Sequence, residues 1–280
     1  MNKEILIICR GGGDLATGIV HRLFRAGYQV LILETAEPAA IRRQVSFCEA
    51  VYEGTATVEG VTAERIYTAK KQAVEEVLQR GRIPLLVDPD GQSIEVLKPD
   101  VVVDAIIAKK NLGTYKEMAP LVIGIGPGFV AGKDVHLVVE SMRGHNLARI
   151  LETGSALANT GIPGNIGGYT KERVIHAAAE GYMKNIHQIG DVVQKGEEIA
   201  RIYEQMSTDG IFSGKSVSVE ATIPGVLRGL IREGYHFQKG FKIADIDPRE
   251  SELANCFTIS DKASSIGGSV LEAVCRYVNG

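Results

Sequence analysis

The sequence predicts an α/β protein: a Rossmann-like, mostly parallel sheet, followed by a second, small β-rich unit. Three observations carry this reading. Short apolar runs recur through the first half and stop at glycine or acidic residues. A glycine-rich turn, CRGGGDLATG (9–18), joins the first run to a helical pattern. The second half holds two copies of one strand–turn–strand pattern, as expected of a small barrel or sandwich.

Ile5 to Cys9 is a buried strand by its short, β-branched, apolar character. Leu15, Ile19, Val20, Leu23 and Phe24 then fall on one helical face, and Gly27 is the expected stop. Tyr28 to Leu33 is the second strand, ending at Glu34. A helix over 68–79 is expected, with Thr68 as cap. Further strands are expected over 83–87, 101–107, 121–125 and 135–139. A short helix over 171–180 and a final one over 261–277 complete the pattern, the latter with Ile266, Val270, Val274 and Tyr277 as its stripe.

The first turn matches GxGxxA at Gly11, Gly13 and Ala16. Gly11 suits the tight turn, Gly13 the approach of a phosphate, and Ala16 close helix–sheet packing. Amides at the helix start attract an anion. Glu34 stands where an acidic residue accepts hydrogen bonds from ribose. Asp14 opposes this reading, because its charge repels a pyrophosphate. Three readings of the turn stay open: a nucleotide or similar phosphorylated cofactor, another ligand that Asp14 orients directly or through a cation, and a structural turn with Asp14 as helix cap. Arg10, Gly11, Gly12, Gly13, Asp14, Glu34 and Asp104 are the candidate binding residues of this edge.

Two polar stretches add candidates. Arg42 and Arg43 are adjacent in EPAAIRRQVSFCEAVYEG (37–54), and a guanidinium suits a carboxylate or phosphate. Cys48 in that stretch, like Cys9, is expected to be buried and inert. ESMRGH (140–145) gathers a carboxylate, a guanidinium and an imidazole. Arg143 is the candidate anchor of an anion. His145 is the candidate proton carrier, and Glu140 orients the site; both are the catalytic candidates. The alternative is a structural loop network. Asp134, His136 and Glu140 match no zinc spacing, so no metal is expected. The glycine-punctuated segment 154–168 either wraps the ligand edge or crosses between domains.

The repeat pairs IHQIGDVVQKGEEIARI (186–202) with LIREGYHFQKGFKIADI (230–246), seven of 17 positions being identical. With its flanks it resembles the biotinyl/lipoyl domain. No Met-Lys dipeptide follows either copy, and Met183-Lys184 lies before the first. A covalent biotin or lipoate is therefore not expected, and Lys195 and Lys239 read as exposed turn residues. The expected domains are 1–180, 181–250 and a C-terminal helix over 251–280 that packs on the first.

The chain has 280 residues, 45% of them hydrophobic, with 31 basic against 34 acidic. That balance argues against a nucleic-acid partner. Four widely spaced cysteines, no CxxC, no apolar run of membrane-spanning length and no secretory signal point to the cytoplasm.

Five stretches together carry a family resemblance: RGGGDLATGIVHRLFRAG (10–27), EPAAIRRQVSFCEAVYEG (37–54), IGIGPGFVAGKDV (123–135), ESMRGHNLARI (140–150) and SDKASSIGGSVLEAV (260–274). They resemble the accessory proteins of selenium-dependent molybdenum hydroxylase systems, related in role to xanthine dehydrogenase maturation factors. The resemblance implies a cytoplasmic factor that helps make or insert a molybdenum cofactor. Its implied partners are a molybdenum hydroxylase or the maturation machinery, and a homo-oligomer is possible. The implied ligand is a molybdopterin-type cofactor, with NAD(P) as the alternative. A nucleotide-dependent enzyme and a non-catalytic interaction module are the other functional readings.

Overall fold

The computed structural model describes residues 5–158, 161, 164 and 166–280. The chain divides into two units. The first comprises Met1–Pro38, Val45–Thr160 and Ile259–Gly280. The second comprises Ala39–Gln44 and Gly161–Thr258.

The first unit begins with β1 (Leu6–Arg10), α1 (Asp14–Arg25) and β2 (Gln29–Glu34). Next come α2 (Ala50–Glu53), the hairpin of β3 (Thr55–Val58) and β4 (Val61–Ile66), α3 (Lys71–Gln79) and β5 (Ile83–Val87). It continues with α4 (Gln92–Leu97), β6 (Val101–Asp104), β7 (Leu121–Ile125), β8 (Leu137–Val139) and β9 (Ile150–Leu151). These strands form one sheet in the order β3-β4-β5-β2-β1-β6-β7-β8-β9. Pairing is parallel from β4 to β8 and antiparallel at both ends. The six strands from β5 to β8, numbered by chain order, run 3-2-1-4-5-6, the order of a doubly wound α/β sheet, and β4 adds a seventh parallel strand beside β5. The chain therefore reverses its direction of travel at β1, between β2 and β6. Both faces of a parallel sheet need cover, which explains strands as apolar as VLIL in β2 and VVV in β6.

The second unit contains β10 (Val174–His176), β11 (Gly181–Asn185), β12 (Val192–Val193) and β13 (Glu198–Met206). It goes on with β14 (Phe212–Glu220), β15 (Gly225–Leu230), β16 (His236–Phe237) and β17 (Lys242–Asp247). They form two antiparallel four-stranded sheets, β10-β17-β15-β12 and β14-β13-β11-β16. The repeat is visible in this pairing. The short strand of each copy pairs with the strand that leads into the other copy: β12 with β15, and β16 with β11. Met183, Ile199, Ile202, Val226, Leu230 and Ile246 fill the unit's core.

The chain ends in α5 (Asp261–Asn279), capped by the Ser260 hydroxyl, which accepts from the Ala263 amide at 3.2 Å. Ile266, Val270 and Val274 are buried in the same core as Ile7, Ile19 and Leu23. The α1–α5 crossing depends on missing side chains. A Cβ on Gly18 would stand 2.7 Å from Ala263, and one on Gly267 would stand 2.6 Å from the Gly18 carbonyl oxygen.

Four local expectations are corrected. Residues 171–180 do not form a helix: Lys171–Arg173 make one 3-10 turn, and Val174–His176 pair with β17. The β-branched residues of VIH find a ladder partner, which outweighs weak helical periodicity. α3 starts at Lys71, with Thr68 outside it. β8 starts at Leu137. Tyr277 stays exposed, outside the buried stripe of α5. Part of the 154–168 segment, namely 159, 160, 162, 163 and 165, lies outside the described residues.

Candidate functional site

Ligands of doubly wound sheets gather beyond the carboxyl ends of the strands where the chain reverses. Here that place is the turn Gly11–Gly13, flanked by the ends of β2 and β6. The first two glycines of the turn are required by protein backbone. A Cβ on Gly11 would lie 2.9 Å from the Ala105 carbonyl oxygen, and one on Gly12 would lie 3.1 Å from the Cys48 amide nitrogen. The Cys48 amide donates to the Gly12 carbonyl at 2.8 Å. Beside it, the Thr17 hydroxyl donates to Gly12 and accepts from the Phe47 amide. Residues 47–48 thus cover one side of the turn. Gly13 differs: no heavy atom lies within 4 Å of where its Cβ would stand. Its side of the turn, at the start of α1, is open.

Glu34 reaches back to the turn. Its Oε1 accepts from the Gly12 amide at 2.8 Å and its Oε2 from the Thr35 amide at 2.7 Å. Burial pushes its carboxyl above the ordinary glutamate range, and the two amide bonds partly offset this. Asp14 occupies the first position of α1, after Gly13 as N-cap. Its Oδ1 accepts from the Leu15 amide at 2.9 Å.

Arg10 and Asp104 are committed to one another's surroundings. They are register partners on adjacent parallel strands, with Nη1 3.7 Å from Oδ2 and both side chains buried. The Thr114 hydroxyl bridges them, donating to Asp104 and accepting from Arg10. Arg10 also donates to the Pro89 carbonyl at 3.1 Å, and the Ile106 amide donates to Asp104 at 3.1 Å. Burial raises the Asp104 carboxyl, while Thr114, Ile106 and Arg10 pull it back. This network ties the ends of β1 and β6 together and engages both terminal nitrogens of Arg10. The loop that follows carries Ile107 at φ 60° and Lys109 at φ 62°. Positive φ in a β-branched residue is strain of about 1–3 kcal/mol, held by the surrounding structure.

The 140–145 stretch separates into different roles. Glu140 is buried, and its two oxygens accept from the Met142 and Leu157 amides at 2.7 and 2.8 Å. It organises its own loop. Arg143 makes a forked pair with Asp261, at 2.7 and 2.9 Å, joining the loop to the start of α5. His145 is exposed. Asp134 and His136 bond to backbone amides of Val130 and Val122. Arg42 and Arg43 belong to the second unit. Arg42 donates to the carbonyls of Asn255 and Thr258, and Arg43 to that of Leu230.

Lys262 was not singled out from the sequence. It is the second residue of α5, and its charge interacts with Asp14, Glu140, Arg143 and Asp261. Burial lowers its pKa, and Arg143 lowers it further. The signal was present in SDKASS, a lysine inside a capped first turn, but only the α1–α5 packing brings it toward Asp14. Cys48 is buried, and its thiol is pushed up by burial and then by Glu34, Glu49 and Asp14. Burial also raises the Cys9 thiol, with Asp104 and Glu34 adding to it. Neither is a thiolate at neutral pH.

No family model matches the chain. A curated relative, Uncharacterized protein YqeB of Escherichia coli (strain K12), is 47% identical over 274 residues. The match covers 98% of this chain and 48% of the relative, so the chain spans about half the length of the relative it matches. Solved structures overlap it only distantly. The product-bound ectoine utilization protein EutE (DoeB) from Ruegeria pomeroyi is 12% identical, covering 86% of this chain and 85% of its own, at TM-score 0.28. A succinylglutamate desuccinylase from Silicibacter sp. TM1040 is 13% identical, covering 86% and 84%, at 0.26. An aspartoacylase family protein from Mesorhizobium loti is 11% identical, covering 88% and 86%, at 0.30. Scores this low give this chain no activity. The expected family is corrected on the curated relative: matched over 98% of this chain, its name carries no molybdenum assignment. The resemblance to molybdenum hydroxylase accessory proteins, and the maturation role drawn from it, are withdrawn.

Proposed function

We propose that the open side of the glycine turn binds a nucleotide-type ligand of the NAD(P) class. One observation carries this reading: the turn sits at the strand-order reversal of a doubly wound sheet, with Glu34 at the end of the next strand bonded to Gly12 at 2.8 Å. Each Glu34 oxygen accepts one amide, which leaves lone pairs for ribose hydroxyls. A phosphate would approach beside Gly13, toward the amides of α1, with Lys262 as the nearby cation. Asp14 works against that phosphate, and Lys262 and the helix start offset it. Of the residues expected to bind, Gly13 and Glu34 keep this role, and Asp14 stands beside them as the opposing charge. Arg10 and Asp104 hold the scaffold, and Glu140 and Arg143 hold the neighbouring loop.

The test is calorimetric titration at low salt with NAD, NADP and a molybdopterin-type ligand, the other cofactor expected from the sequence. The expected result is saturable binding of a nicotinamide dinucleotide. Gly13→Val should abolish it, and Asp14→Asn should tighten it about two- to fivefold, the size of one charge at a helix start. Absence of binding by all three ligands to protein with a normal melting curve overturns the reading. Preference for the pterin would redirect it to that ligand.

The second unit's strand order supports a biotinyl/lipoyl-type fold, with β13 and β14 as the hairpin between the halves. That hairpin tip reads Ser207-Thr208-Asp209-Gly210-Ile211 and offers no lysine for a carried group. The four cysteines carry free thiols. Among the described residues, no helix is long and apolar enough to cross a membrane.

A further inference from the structure

A second concave site lies elsewhere in the first unit, on the face of α1 that continues from Gly18. Gly18 packs against Ala263, and one turn further along the two helices leave a cleft of about 250 Å³. His21, Arg22 and Arg25 project into its lining at helical spacing. The opposite wall is the β3–β4 turn, where Glu59 has φ 45° and Gly60 has φ 78°.

The charges in this cleft do not cancel. Two guanidiniums face one carboxylate, Glu59, whose Oε1 is held by the Ile259 amide at 2.8 Å. Among the described residues, neither Arg22 nor Arg25 is paired with a carboxylate. Arg22 spends one donor on the Ser264 hydroxyl, and Arg25 has no bonded partner among the described residues. The His21 ring lies 3.4 Å from the Glu59 carbonyl oxygen, leaving its other nitrogen available. The lining is thus rich in donors with fork geometry and poor in acceptors. Such a set recognises planar or tetrahedral oxyanions. The volume is below that of a typical cofactor pocket, so the ligand is compact.

We propose that the cleft formed by His21, Arg22, Arg25 and Ser264 binds a compact oxyanion bearing phosphate or carboxylate groups. This site is separate from the glycine turn and independent of the nucleotide reading. The test titrates inorganic phosphate and citrate into the full chain at low salt, followed by calorimetry and by NMR shifts of the arginine side chains. Saturable binding of at least one anion is expected, with shifts at Arg22 and Arg25. The tighter of the two identifies the ligand as phosphate- or carboxylate-bearing. Loss of one charge-assisted contact in Arg25→Gln should weaken binding about tenfold or more. That variant should melt normally, because no bonded partner is broken. Arg22→Gln is the second variant, and loss of binding there counts only alongside a normal melt. Dinucleotide binding should be unchanged in Arg25→Gln. Absence of saturation by either anion overturns the site. So does binding that survives Arg25→Gln but disappears in Gly13→Val, since that would place the anion at the glycine turn.

Discussion

Glu34 and Asp104 show how burial reshapes a carboxylate's role. Each sits at a strand end that approaches β1, and each carboxyl is pushed up mainly by burial. A carboxyl raised in the folded state binds its proton more tightly there than in the unfolded chain. Its contribution to stability is therefore full below the unfolded value, about 4.3 for glutamate, and is lost as pH rises through the folded value. For Glu34 this predicts that the wild-type melting temperature falls across that window relative to Glu34→Gln. The glutamine keeps one acceptor, so the slope and not the offset is the readout. Parallel pH profiles for the two proteins would contradict the assignment. At the same scale, Arg10 shows what the sequence hides. An arginine before a glycine turn reads as a phosphate ligand. Only the register of β1 against β6 reveals that its neighbour is Asp104. Two candidates 94 positions apart in the chain turn out to answer each other.

Among the elements, those with strong local signals were legible and those made by pairing were not. β1, α1 and β2 combine apolar strands, a glycine turn and a one-faced helix, and all three occur close to their expected bounds. The β3–β4 hairpin and β10 were missed, because they depend on ladder partners β5 and β17 rather than on their own periodicity. α5 is intermediate. Its stripe was legible, but Gly267 and Gly268 looked like a weakness of the helix. The structure gives Gly267 a positive reason, since a Cβ there would strike the Gly18 carbonyl oxygen at 2.6 Å. Backbone cannot swing aside as a flexible side chain can. Gly267→Val is therefore expected to destabilise the protein by about 1–3 kcal/mol or more through overpacking. Gly268→Ala, where nothing lies within 4 Å, should be neutral or slightly stabilising. Urea unfolding of the two variants side by side checks the pair. Equal losses would mean that the crossing is not the constraint.

At the scale of the molecule, the repeat was the most informative long-range signal. Its two copies build one unit, β12 and β16 each pairing with the strand that leads into the other copy. The boundaries were less legible: the second unit also takes in Ala39–Gln44, and the first takes back Ile259–Gly280. Composition does not change at either crossing, so only contacts reveal them. The missing lysine of the β13–β14 hairpin leads to a prediction for the whole unit. Peptide mass mapping of the protein from its native cell should find no biotin or lipoate on any lysine of the second unit. A biotin or lipoate mapped to Lys195, Lys239 or any other lysine of that unit would overturn this.

The packing of α5 on α1 also has a temporal consequence. During synthesis the strands from β1 to β9 leave the ribosome first, then the entire second unit, and α5 afterwards. At about 5–20 residues per second, the delay between β9 and the last turn of α5 is on the order of 6–25 s. Throughout it, the face of α1 around Gly18, Ile19 and Leu23 waits without its permanent cover. The nascent chain carries an apolar stripe on an otherwise nearly finished sheet, which is the kind of surface that ribosome-associated chaperones shelter.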